Sequence, residues 1–206
     1  MEISAIINRI NEISFNNYGS KMIIVDYINA NNILVQFLDK NKTIVKTKYC
    51  HFKKGKVGNP FDKTVCENGF LGVGNFKSHN INNVVTKEYE EWRHMLERCY
   101  NIKIQKKHPT YIGCTVCEEW LNFQKFAKWW TDNHYEIKNY RMELDKDILI
   151  KGNKIYSPET CCIVPSNINT LFTKANKSRG QYPIGVSYHI PTNKFVSNYN
   201  NNEKNK

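Results

Sequence analysis

No stretch of this 206-residue chain approaches the roughly 20 consecutive apolar residues of a membrane-spanning helix. Its opening residues, MEISAIINRINEISF, carry Glu2 and Glu12 and lack a basic start followed by an apolar stretch, so they do not read as a secretion signal. Apart from an Asn-rich tail there is no low-complexity segment, and there is no internal repeat. Negative charge is also short: 19 Asp and Glu face 30 Lys and Arg, a formal net charge of +11. These absences speak against a membrane-spanning helix and a repeat array. The seven cysteines are odd in number and scattered. Without a secretion signal they read as reduced thiols of a cytoplasmic protein.

What is present points to a folded chain with a polyanionic partner. Hydrophobic residues make up 40% and aromatics 13%, too many for a disordered segment. The positive excess favours nucleic acid. Ile3, Ile6, Ile7, Ile10 and Ile13 recur at helical spacing and predict a helix over residues 2–16. Three β-like runs follow, Met22 to Ile28, Ile33 to Leu38 and Thr43 to Tyr49, with Asp39-Lys40-Asn41 as the turn between the last two. Residues 51–83 read as glycine-punctuated loop. Within them HFKKGK places Lys53, Lys54 and Lys56 either along a phosphate backbone or on a solvated hairpin end.

From Thr86 the pattern turns helical. Tyr89, Trp92, Met95, Leu96 and Tyr100 share one face, and Glu88 and Glu90 suit a first turn. Trp120, Phe123, Phe126, Ala127 and Trp130 line a second helix. Both aromatic stripes read as core ahead of base-stacking surfaces. RMELDKDI then predicts a strand, Lys151-Gly152-Asn153 a turn, Cys161 to Val164 a strand, and Ser166 to Phe172 a helix. Residues 173–181 are a polar linker carrying Lys174, Lys177 and Arg179, followed by a hairpin over Ile184–Tyr188 and Lys194–Tyr199.

The runs TKEYEEWRHMLERCY, YIGCTVCEEWLNFQKFAKWW and LDKDILIKGNKIYSPETCCIVPSNINTLF resemble phage-encoded proteins of the HNH homing-endonuclease group. YINANNILVQFLDKNKTIVKTKYCHFKKGKVGNPF is similar to the N-terminal segment of such proteins. YPIGVSYHIPTNKFVSNYN is similar to the first two strands of the plant ethylene-response-factor type of DNA-binding module. Together these runs cover most of residues 18–200. The resemblance implies an α+β chain: a small N-terminal antiparallel sheet, central helices with a degenerate ββα unit of His-Me finger type, and a C-terminal β-hairpin. The expected divisions are 1–85, 86–178 and 179–206. Its setting would be the cytoplasm of a phage-infected bacterium, with double-stranded DNA as partner.

In a His-Me finger a histidine at the end of the first strand deprotonates water, and an adjacent Asp with an Asn or His on the helix holds one divalent metal. The sequence departs from that pattern. LDKDI has no His; Asp145, Lys146 and Asp147 stand there. On a strand Asp145 and Asp147 share a face, and with Asn169 (or Asn167) from the helix they are the candidate catalytic and metal-holding set for Mg²⁺ or Mn²⁺. His94, His108 and His134 are the histidines that could approach from elsewhere. Arg93 and Arg98 are candidate phosphate-binding forks, Arg98 the stronger. Cys114 and Cys117 have half a zinc-site spacing, but a second pair is missing, so structural zinc is the weaker cofactor reading. The C-terminal run stops after two strands, short of a complete module. Two functions follow: a metal-dependent DNA endonuclease, or an inactive nuclease-derived binder that inhibits a host defence nuclease or regulates transcription.

Overall fold

The computed structural model describes residues 9–172, 182 and 185–197. Within them helices and strands are mixed, and two separate hydrophobic cores form. The first core is organised by a four-stranded antiparallel meander of β1 (Ile13–Phe15), β2 (Lys21–Asn29), β3 (Asn32–Phe37) and β4 (Ile44–Thr47). Alternation puts Met22, Ile24, Ile33, Val35 and Phe37 on one face, all buried. The register shifts between Ile24 and Asp26, which leaves Val25 as the extra residue of a bulge. A five-residue helix α1 (Tyr49–Lys53) closes the buried face with Phe52, and Val57 follows it.

The helix expected over residues 2–16 is corrected by β1. Asn11 has φ 70°, and Ile13, Ser14 and Phe15 pair with Ile23, Met22 and Lys21. The strand edge of β2 outweighs the local 3.6-residue period of the isoleucines, a tertiary override of pattern. Residues 2–8 of that helix lie outside the described residues.

The second core joins α2 (Lys87–Tyr100), α4 (Phe123–Asn133) and the strands after them. Between these helices lie α3 (Ile102–Lys107) and β5 (Thr115–Val116). Trp92, Met95 and Leu96 of α2 and Phe123, Phe126 and Ala127 of α4 are fully buried, as their spacing predicts. Asn101 ends α2 and caps α3 by accepting from the amides of Lys103 and Ile104, while Asn122 caps α4 through Gln124. Residues 65–76 belong to this core as well. Val65, Leu71 and Phe76 pack on it, and Gln124 donates to the carbonyls of Leu71 and Phe76. The hydrophobic division of the chain therefore falls near residues 58–64, ahead of the expected 85/86 boundary.

β6 (Met142–Asp145) pairs antiparallel with β8 (Cys162–Pro165), Met142 opposite Pro165 and Asp145 opposite Cys162. α5 (Ser166–Phe172) packs on both strands. Between β6 and β8 the chain inserts β7 (Ile155–Tyr156), which pairs in parallel with β5 instead. The C-terminal hairpin is β9 (Val186–His189) with β10 (Lys194–Ser197), as expected. Among the described residues no helix is long and apolar enough to cross a membrane.

Candidate functional site

A cleft of about 1180 Å³ opens between α2 and the β6–β8–α5 unit. Helix α2 lines it with Glu90, Glu91, His94 and Arg98, which recur at one-turn spacing on one face. The opposite wall is Glu143, Asp145, Lys146 and Asp147, continued by Lys151 and Lys154, with Asn169 from α5. Five of the residues singled out from sequence thus meet in one place: His94, Arg98, Asp145, Asp147 and Asn169. Arg93 points instead to Glu97 at 2.6 Å. Lys53, Lys54 and Lys56 sit at the end of α1 beside the first core, Lys53 bonded to Glu12 at 2.9 Å. Lys174, Lys177 and Arg179 lie outside the described residues.

The geometry of the acidic wall follows from where β6 stops. The strand ends at Asp145, whose Oδ1 accepts the backbone N–H of Asp147 at 2.6 Å and of Ile148 at 2.8 Å. That Asx turn breaks the alternation on which Asp145 and Asp147 would have shared a face. Lys146 is buried, 5% exposed, and its ammonium donates to Asp147 Oδ2 at 2.6 Å and the Asn153 carbonyl at 2.9 Å. It also lies 5.8 Å from the centre of the Tyr156 ring. Asn153 returns the brace by donating to the carbonyls of Lys146 and Ile155. Residues 146–154 are therefore a cross-tied loop with Lys146 as its pin.

Glu143 is the residue that sequence reasoning missed. Two positions before Asp145 on the same strand, it shares that face, so the signal was present. Its carboxylate takes the Asn169 amide at 2.7 Å and the Arg141 guanidinium. Burial alone raises its pKa, but the hydrogen bonds from Arg141 and Asn169 and the charges of Arg141 and Arg98 outweigh burial, so the net shift is downward. On the other wall His94 Nε2 lies 3.2 Å from Arg93 Nη2. Arginine only donates, so Nε2 is the acceptor and the ring proton sits on Nδ1.

No protein-family model, curated protein or solved structure matches the chain. The chemistry of the cleft is thus what bears on function. A divalent cation, the cofactor implied by the resemblance, fits these donors poorly. One oxygen of Asp145 holds a turn, Asp147 is neutralised by an ammonium ion, and Glu143 is claimed by Arg141 and Asn169. Among the described residues no group of three or more His, Cys, Asp or Glu side chains could hold a metal ion. The cysteines are all free thiols. Burial pushes Cys99 and Cys161 up to about 12, as expected for protonated core thiols.

Proposed function

We propose that this chain is a DNA-binding protein on a phage HNH-type scaffold, with a ββα unit of His-Me finger kind whose hydrolytic centre has been converted to structure. The observation that carries this reading is Lys146. In LDKDI, the segment where the resemblance places the Asp-His pair, Lys146 holds an ammonium ion that is buried and bonded to Asp147 and to the Asn153 carbonyl. Such a group has no free lone pair with which to deprotonate water. The net charge of +11 supports duplex DNA as partner. A role in blocking a host nuclease or repressing transcription would follow from binding without cleavage.

The test is a pair of assays on the full chain. Gel shift of duplex DNA across a salt series should show affinity falling as salt rises. Supercoiled plasmid with Mg²⁺ or Mn²⁺ should stay intact. A flat salt response sinks the DNA reading, and cleavage abolished by Asp145→Ala sinks the inactive one.

One observation favours an active enzyme instead. His94 lines the same cleft as Asp145 and Asn169, so a base could come from α2. In the observed geometry its acceptor nitrogen faces Arg93, and only a ring rotation would free it. Plasmid nicking that disappears in His94→Ala would establish this second reading.

A further inference from the structure

The geometry points to Arg98 as the anchor of an oxyanion subsite in the cleft, built to take a phosphate group. The inference rests on the proposed nucleic-acid reading only for the source of that phosphate. The cations of the cleft differ in how fully they are neutralised. Lys146 has Asp147 at 2.6 Å, and Arg141 has Glu143 as a close partner. Lys154 spends two of its protons on the carbonyls of Thr110 and Ile112, at 2.7 and 3.2 Å.

Arg98 has no such close counter-charge. Its side chain is only 24% exposed, yet its nearest carboxylate oxygen, on Glu91, stands 3.9 Å away. It also meets the hydroxyl of Tyr156 and the face of Tyr111, whose centre is 6.0 Å from the guanidinium carbon. The attraction of Arg98 also reaches Glu143, but that carboxylate is already held by Arg141 and Asn169. A guanidinium largely removed from water should be paired and hydrogen-bonded. Arg98 lines the cleft and brings to it a planar fork of five donors. An oxyanion there would complete its shell with bidentate, charge-assisted bonds. Tyr156, buried beneath it, and Tyr111 fix the direction of the fork in advance.

The experiment uses the full chain with two probes, inorganic phosphate and a short DNA duplex. Phosphate should raise the melting temperature of the wild type above that in sodium chloride of equal ionic strength. The duplex Kd is read by fluorescence polarisation. Arg98→Met, which keeps the alkyl stem, should weaken both probes by about tenfold or more. Arg98→Lys, which keeps charge without the fork and guards against a misfolded methionine variant, should fall between. Glu91→Gln, which removes the competing carboxylate, should tighten phosphate about threefold. Phosphate protection equal in wild type and Arg98→Met, or unchanged by both substitutions at Arg98, overturns the subsite. Duplex binding that is intact in Arg98→Met overturns it also while leaving the DNA reading in place. Phosphate binding lost in Arg98→Met, with no duplex binding by the wild type, upholds the subsite and ends the DNA reading.

Discussion

If Lys146 is a structural pin, its removal should cost stability in a way that depends on what replaces it. Lys146→Ala deletes three methylenes from a site 5% exposed, about 2.4 kcal/mol at roughly 0.8 kcal/mol each. It also removes the charged donor to the Asn153 carbonyl, a net loss of about 1.5–3 kcal/mol. The pair with Asp147 adds little, about 1 kcal/mol at most, because that carboxylate is 49% exposed and screened. Relief of the buried ammonium and regained side-chain entropy oppose these losses by roughly 2 kcal/mol. The balance is a destabilisation of about 2–4 kcal/mol. Lys146→Met keeps the stem and sheds the buried charge, so it should stay within about 1 kcal/mol of wild type. Urea denaturation followed by tryptophan fluorescence reads both, since Trp92, Trp120 and Trp130 are buried in the core that this loop abuts. An alanine variant within about 0.5 kcal/mol of wild type would refute the pin, and with it the main support for an inactive centre.

Trp92 Nε1 donates to the Trp120 carbonyl at 2.7 Å, whereas Trp120 Nε1 is buried with no hydrogen-bond partner among the described residues. By equilibrium denaturation, Trp92→Phe should therefore cost about 1–3 kcal/mol more than Trp120→Phe. The Glu143 carboxyl is held below its ordinary 4.5, so the stability it contributes is present above that value and lost as pH falls through the lower folded-state value. Glu143→Gln should flatten the stability curve below pH 4.5, and an unchanged acid limb would contradict the Arg141 and Asn169 contacts. In native protein at pH 8, mass spectrometry after iodoacetamide should find exposed Cys50 modified and Cys99 and Cys161, both 4% exposed with thiols pushed up to about 12, modified only after denaturation.

Much of the fold was legible because its signals are periodic and local. The apolar runs from Met22 to Ile28 and from Ile33 to Leu38 gave two strands of the sheet but not which face would be buried, and the aromatic spacing of 92–100 and 120–130 gave the second core. The failures came where distant contacts override local pattern. Ile13 sits in a helical period but pairs with Ile23, and Tyr49 continues a strand alternation but starts α1, packing on Phe52 and bonding Arg9. At the cleft, Arg98, Asp145 and Asn169 were named from sequence. That they would face one another across a cleft, with Glu91 and His94 beside Arg98, could not be, since it depends on how the fold sets α2 opposite β6. The pairing of Asp145 with Asp147 assumed a strand that runs on. The Asx turn at Asp145 ends it, a turn that Asp readily forms and that the sequence reading passed over.

The segment of residues 65–76 has a consequence for how the protein can be divided. A Cβ at Gly69 would come within 2.3 Å of Leu96 and 2.8 Å of Trp92, so the backbone there lies flush against α2. The amides of Phe70 and Phe123 are exchanged across the same seam with the carbonyls of Leu121 and Phe70. A fragment started at residue 86 would lay Trp92 and Leu96 open to water and strand the Gln124 side chain without its three partners. A fragment started near residue 60 keeps the seam whole. The unit that could be transplanted, inherited or expressed alone thus begins well before its first long helix.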